Sequence, residues 1–251
     1  MPDVLISKAG LIVTTLITLL ILERLFPVVP WVGGVWRVLK NFGLAGINAI
    51  LSPLIVLPLT LFAADHALAW RPEAWTGTWF LLLDLVLLDF WIYWWHRANH
   101  AVPFFWRFHE VHHLDDTLDV SSAVRFHFGE VLLSSVVRAA VIFLLDVPFQ
   151  SVLVFEVMVA MTAMFHHSNL RLPAWLERPL SWIIVTPSIH WIHHHALRRD
   201  TDSSYATFLS LWDRLFGSSS KTVRSVDLAI GVEGIKDKTA AELVVRPFKP
   251  R

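Results

Sequence analysis

The chain has 251 residues, 55% of them hydrophobic, and its formal net charge is zero with histidine neutral. That balance leaves too little polar surface for a soluble domain of this size and gives no electrostatic footprint for nucleic acid, so a membrane protein is the leading class. Cysteine is absent, which excludes disulfides, thiolate zinc sites and cysteine-held iron–sulfur clusters, while thirteen histidines and thirteen tryptophans ask for an explanation.

A helix that crosses a bilayer needs about 20 mostly apolar residues. Residues 4–22 form a first span, with Lys8 near its start able to snorkel. It lacks the basic cluster and the small-residue cleavage site of a secretory signal. Residues 42–64 carry no charge and form the clearest span, bent by Pro53 and Pro58. Residues 75–95 form a third, which carries Asp84 and Asp89, and acids in lipid are too costly to be casual. Two shorter apolar runs follow, 131–145 and 151–165, separated by "DVPFQ". At about 1.5 Å per residue each barely reaches across, so a short helical hairpin that dips in and returns is expected. Arg138 and Glu156 lie at similar distances from its turn and are expected to pair.

The loops set the orientation. Residues 23–41 carry Arg24, Arg37 and Lys40 against Glu23, whereas 65–77 carry Arg71 against Asp65 and Glu73. The positive-inside rule then puts 23–41 in the cytoplasm, with the end of the third span and both ends of the hairpin. The fold expected is an all-α membrane bundle of about three long spans plus the hairpin, under a cytoplasmic helical cap. Its parts are amino-terminal membrane helices over 1–77, a catalytic region over 78–217 and a cytoplasmic tail over 218–251.

Most of the histidines fall on that one face, and they are clustered. "HRANH" contains His96 and His100 at i, i+4. "HEVHH" contains His109, His112 and His113, and "HWIHH" contains His190, His193 and His194, both at i, i+3, i+4. Helix neighbours three and four apart share a face, so each cluster projects two or three imidazoles to one side. Unpaired neutral rings beside a membrane leave polar nitrogens unsatisfied, and protonated together they repel. Metal binding removes both problems. Eight ligands exceed the four of one tetrahedral site and suit two metals, though imidazole serves iron, zinc and copper alike. His127 in "RFHFGE" and His167 in "FHHSN" lie at the same depth and are weaker candidate ligands; His166, His195 and His66 are read as outside the site. Asp89, two helical turns before His96, is a candidate to orient a ligand through its second nitrogen, the alternative being a buried aspartate capped by a nearby Trp or Tyr. Glu110, inside a box, is read as a first-turn helix acid. Beyond the metal ligands no catalytic side chain is assigned.

The ordered set of HxxxH, HxxHH, hairpin and HxxHH, together with "DFWIYWWHRANH", "RFHFGE", "FHHSN", "TPSIHWIHHH" and "WDRLFG", resembles the fatty acid hydroxylase/sterol desaturase superfamily of integral-membrane di-iron oxygenases over about residues 84–217. Two departures stand out. Phe128 replaces the Pro that often follows the histidine of "RFH", and "DSSYA" replaces Asp-x-Asn-Tyr-Gly, with Ser204 and Ala206 at the changed positions. The resemblance implies two iron ions, O2 as co-substrate, and hydroxylation or desaturation of a C–H bond in a fatty acyl, sterol or isoprenoid lipid. Hydroxylation consumes two electrons, and the sequence carries no Gly-rich dinucleotide fingerprint or haem-attachment motif, so a separate reductase, ferredoxin or cytochrome-type donor is implied. Arg198 and Arg199 are candidate contacts for an acidic donor, and Trp212, Asp213 and Arg214 for the cap. A membrane zinc hydrolase acting on a lipid amide or ester, and a metal transporter, are the alternative readings.

Overall fold

The apolar runs become helices whose ends are set by polar and proline residues. In the computed structural model, which describes residues 2–31, 33–72, 74, 75 and 77–249 (without the side chains of 2–6), helices carry the architecture and no strand forms among the described residues. Glu73, counted in the loop charge above, lies outside the described residues, as do Pro250 and Arg251 of the expected tail.

Helix α1 covers Pro2–Leu25. Its last turn is pinned to the cap, because buried Glu23 accepts hydrogen bonds from the Val120 and Asn169 backbones at 3.0 and 3.1 Å. The second span is one continuous element, α2 (Gly34–Leu51), a π-helical turn (Ser52–Val56) and α3 (Leu57–Asp65). Of the two prolines expected to bend this span, Pro53 lies in the π-helical turn and Pro58 in the first turn of α3, since proline lacks the N–H that an α-helical register requires. Helix α4 (Thr78–Ala101) runs past the apolar stretch and includes the whole first histidine box. It stops at Val102, where the following Pro103 disfavours helical backbone, and α5 (Pro103–His113) begins at once.

The hairpin helices are longer than expected. Helix α6 covers Phe128–Leu145 and α7 Phe149–His167, 18 and 19 residues, each long and apolar enough to cross a membrane. Polar residues at the box end, Glu130, His166 and His167, continue the helices beyond the apolar runs from which their length was judged. With α2–α3 and α4 this makes four such elements among the described residues, and the chain is a multi-pass membrane protein. The two arms of the hairpin find their main neighbours elsewhere: α6 packs on α3, and α7 on α1 and α4. Away from the boxes Ala63, Leu88, Ile142, Val152 and Phe155 interlock as one core cluster. Asp84 is held there by Arg71 and Ser151, at 2.5 and 2.6 Å.

At the box end, α8 (Ala174–Leu180), α9 (Pro187–His193), α10 (Arg198–Thr201), α11 (Leu211–Leu215) and α12 (Ala240–Val245) build the cap. The segment read as a tail is part of it. The Ala196 and Gly231 N–H groups donate to the Ala229 and His194 carbonyls, Leu243 is fully buried, and Asp237 receives Lys40 and Arg125. Arg37 is buried against Asp115 and Asp119. The loop cations that suggest orientation thus also bolt α2 to the cap.

Candidate metal centre

Nine histidines converge at the foot of the bundle in two groups, within each of which one ring nitrogen per residue lies within 4.8 Å of all the others. The first group is His96, His100, His109, His113 and His193; the second is His112, His167, His190 and His194. Each HxxHH box therefore divides. In α5 the i and i+4 rings enter the first group and the i+3 ring enters the second; in α9 the assignment is reversed. Positions i+3 and i+4 are separated by about 100° around a helix, enough to point to two adjacent centres from one face.

Six of the nine outer nitrogens are tied down, while the Nδ1 atoms of His113, His190 and His194 are buried without a hydrogen-bond partner. Nδ1 of His96 faces the Tyr205 carbonyl at 2.7 Å, that of His193 the Ser203 carbonyl at 2.7 Å, that of His112 the Arg125 carbonyl at 3.1 Å and that of His167 the Ala163 carbonyl at 2.7 Å. His109 Nδ1 lies 2.8 Å from Glu130 Oε1, and His100 Nδ1 lies 3.3 Å from Asp202 Oδ1. A carbonyl only accepts, so Nδ1 carries the proton and the neutral ring turns a bare Nε2 lone pair inward.

Those inner nitrogens crowd one another. His96 and His109 have Nε2 atoms 3.2 Å apart, His112 and His167 3.1 Å, His167 and His190 3.0 Å, and His190 and His194 3.2 Å. Two Nε2 lone pairs at that separation repel unless a cation lies between them. A proton is a poor candidate, because burial and neighbouring imidazoles hold His112, His113, His190, His193 and His194 well below the ordinary histidine range. A metal ion fits. Bonds of about 2.1 Å to imidazole place neighbouring ligand nitrogens about 3.0–3.4 Å apart. His100 and His193 also present buried Nε2 atoms that have no hydrogen-bond partner.

Among the residues singled out from the sequence, the structure gathers all eight box histidines and His167, but not His127 or Asp89. His127 caps α6: its Nδ1 accepts from the Gly129 N–H at 2.9 Å and its Nε2 donates to the Val244 carbonyl at 2.9 Å. Asp89 touches no histidine. Its carboxylate accepts from the Phe208 and Leu209 N–H groups at 3.2 and 3.0 Å and from Trp212 Nε1 at 2.8 Å. The i, i+7 spacing does place it on the His96 stripe, but its oxygens are taken by residues 208, 209 and 212, and His96 Nδ1 is taken by the Tyr205 carbonyl. Glu110 lies in the last turn of α5 and accepts from Arg246 at 2.7 Å. His195 pairs with Asp200, and His66 lies exposed against Phe62. Asp213 accepts from the Tyr205 and Ala206 N–H groups, and Arg214 donates to the Trp182 carbonyl.

Glu130 and Asp202, which orient His109 and His100, carry no periodic signal in the sequence. His166, which the sequence places outside the site, is buried with its ring 3.9 Å from that of His190 and lines a cavity of about 820 Å³. This cavity runs from the histidines up between α6 and α7. Its wall is largely apolar, with residues such as Ile12, Val56, Trp91 and Val159, and it has the size and lining of a site for a chain-like apolar ligand.

A family model described as fatty acid hydroxylase matches residues 81–218. The ornithine lipid hydroxylase OlsE of Rhizobium tropici is 29% identical over 196 residues, covering 78% of this chain and 58% of that protein. An alkylglycerol monooxygenase of Xenopus tropicalis is 30% identical over 151 residues, 57% of this chain and 31% of its own. A very-long-chain aldehyde decarbonylase, GL1-4 of Oryza sativa subsp. indica, is 26% identical over 143 residues, 54% and 22%. The chain thus spans less than two thirds of the length of each of these relatives. No solved structure matches.

Proposed function

The chain belongs to the fatty acid hydroxylase family, whose match covers more than half of it, and from that premise we propose that it is a membrane-bound, di-iron, O2-dependent oxidoreductase that hydroxylates or desaturates a C–H bond of a lipid. The observation that carries the proposal is the set of inward Nε2 pairs, 3.0–3.2 Å apart, in two groups at the base of an apolar cavity. The relatives act, by their names, on an ornithine lipid, an alkylglycerol and a very-long-chain aldehyde. What these share is an apolar chain, and a fatty acyl, sterol or isoprenoid substrate is the class proposed here.

Iron ions bound by the two groups would supply the binding and activation of dioxygen, which no side chain provides. The chain's own residues do the rest. Carbonyls of residues 125, 163, 203 and 205 fix the ring tautomers, so that no rearrangement is needed when a metal binds. Glu130 and Asp202 accept from ligand rings and raise their basicity. The cavity holds an extended chain against the histidines and excludes water from the C–H bond to be broken. Insertion of one oxygen atom and reduction of the other to water require two electrons and two protons from outside. A separate reductase, ferredoxin or cytochrome-type donor is therefore part of the proposal. The boxes are proposed to face the cytoplasm, on the loop charges.

The test is the metal content of anaerobically purified protein, followed by oxygen uptake with a reductant and a chain lipid. About two irons per chain and donor-dependent uptake are expected. Zinc at one per chain with turnover that ignores the donor would reject the oxygenase in favour of a hydrolase. Lipid profiling under labelled oxygen then identifies the product.

A further inference from the structure

The cavity has a second polar end. Lys8 of α1, Arg138 of α6 and Glu156 of α7 all line it. Arg138 Nη1 lies 3.1 Å from Glu156 Oε1, and Lys8 Nζ is bonded to Glu156 Oε2. The pairing of Arg138 with Glu156 follows from their positions in the hairpin; the arrival of Lys8 from the first span does not. Arg138 lies eight residues beyond Glu130, and Glu156 eleven residues before His167. At a rise of 1.5 Å per residue the triad stands about 12–17 Å from the histidines along the two helices.

Among the described side chains the charges do not cancel, because two cations share one carboxylate. All three side chains are at most 24% exposed, so solvent screens them weakly. Ionised groups at this depth are costly unless paired, and a guanidinium cannot shed its proton. Arg138 Nε is buried and has no hydrogen-bond partner. Glu130, the other acid lining the cavity among the described residues, is engaged by His109. An anion entering the cavity would complete the set. An oxyanion in the cavity would share the Arg138 guanidinium and the Lys8 ammonium with Glu156. A neutral terminus offers no such compensation.

We propose that Lys8, Arg138 and Glu156 form a second subsite of the cavity that takes the oxyanion of a chain lipid, a carboxylate or a phosphate, and so fixes which carbon of that chain reaches the histidines. This rests on the reading of the cavity as the lipid site. The subsite acts as a ruler: one end of the ligand is anchored by charge, and the distance to the histidines selects the position along the chain. Glu156 keeps the two cations in place when no anion is bound and weakens binding when one is.

The experiment is equilibrium binding of three labelled probes of equal chain length, stearic acid, octadecyl phosphate and octadecanol, to the purified full chain in neutral detergent. No turnover is required, so a preparation that takes up no iron or oxygen still reports on the subsite. Either acid is expected to bind at least about tenfold tighter than the alcohol, the scale of one charge-assisted hydrogen bond. Preference for stearic acid over the phosphate assigns a free carboxylate, and the reverse assigns a phosphate headgroup. Glu156→Gln should tighten the acids and leave the alcohol unchanged. The double variant Lys8→Met, Arg138→Met should bring acid and alcohol to equal affinity. If the triad only staples α1 to the hairpin, the wild-type chain will bind acid and alcohol equally, and that result alone overturns the proposal even if the variants fold poorly. An acid preference that survives the double variant overturns it as well.

Discussion

Replacing Asp89 by Asn separates two roles that sequence spacing alone leaves open. The Asp89 carboxylate accepts three hydrogen bonds, Phe208 N–H on one oxygen and Leu209 N–H with Trp212 Nε1–H on the other. Asn keeps one acceptor. In its better orientation the amide oxygen faces Leu209 and Trp212, and the NH2 group confronts the Phe208 donor. Two bonds lose their ionic character and a buried donor loses its partner, a combined cost of about 3–5 kcal/mol. The loss falls on the turn that carries Tyr205, whose carbonyl holds His96, rather than on any ligand ring. Chemical unfolding in micelles should therefore show a stability loss of that size, while folded protein still binds its full complement of metal. Metal content cut by half or more, with stability changed by less than about 0.5 kcal/mol, would show that Asp89 acts on a ligand and that the geometry above misassigns it.

Other outcomes follow from the same contacts. His109→Ala, His112→Ala, His190→Ala and His193→Ala should each abolish activity and lower metal content, whereas His66→Ala should do neither; full activity in any of the four removes it from the site. Glu130→Ala should weaken metal binding at the first group by about 10–100-fold, read as early loss of one of two ions in a chelator titration. Ser204 adopts φ 54°, a left-handed conformation costly for serine and better tolerated by asparagine. Ser204→Asn should thus stabilise the chain by about 1 kcal/mol, seen as a higher unfolding temperature at unchanged metal content. In the metal-free chain, His112, His113, His190, His193 and His194 stay neutral when folded, because burial depresses their pKa, and protonate when unfolded. Stability should be flat above the ordinary histidine value of 6.5 and fall as pH drops below it, by up to about 1.4 kcal/mol per pH unit for each ring. A metal-free chain equally stable at pH 5 and pH 7.5 would contradict that burial.

The boxes were legible because metal binding and helix periodicity impose the same spacing, and three such clusters in one chain leave little room for accident. His127 and His167 looked alike in sequence, each at a helix end in the polar region. They differ because His127 precedes its helix, where an N-cap ring bonds the helix's own backbone, while His167 ends one and points along it into the cluster. Glu130 and Asp202 were not legible as orienting groups, since a single carboxylate that meets a ring from another segment leaves no local pattern. The hairpin helices extend past the apolar runs 131–145 and 151–165 because hydropathy marks where a helix is apolar, not where its hydrogen-bonded backbone ends. The partners of Asp89 lie about 120 residues away and could come only from the fold.

The division of each HxxHH box has a mechanical consequence. Helices α5 and α9 each contribute to both groups, with the majority share exchanged between them. A rotation of either helix that brings its rings toward one centre must draw them away from the other. Were each group to hold an ion, filling or emptying one centre would therefore shift the rings of its neighbour through two rigid levers.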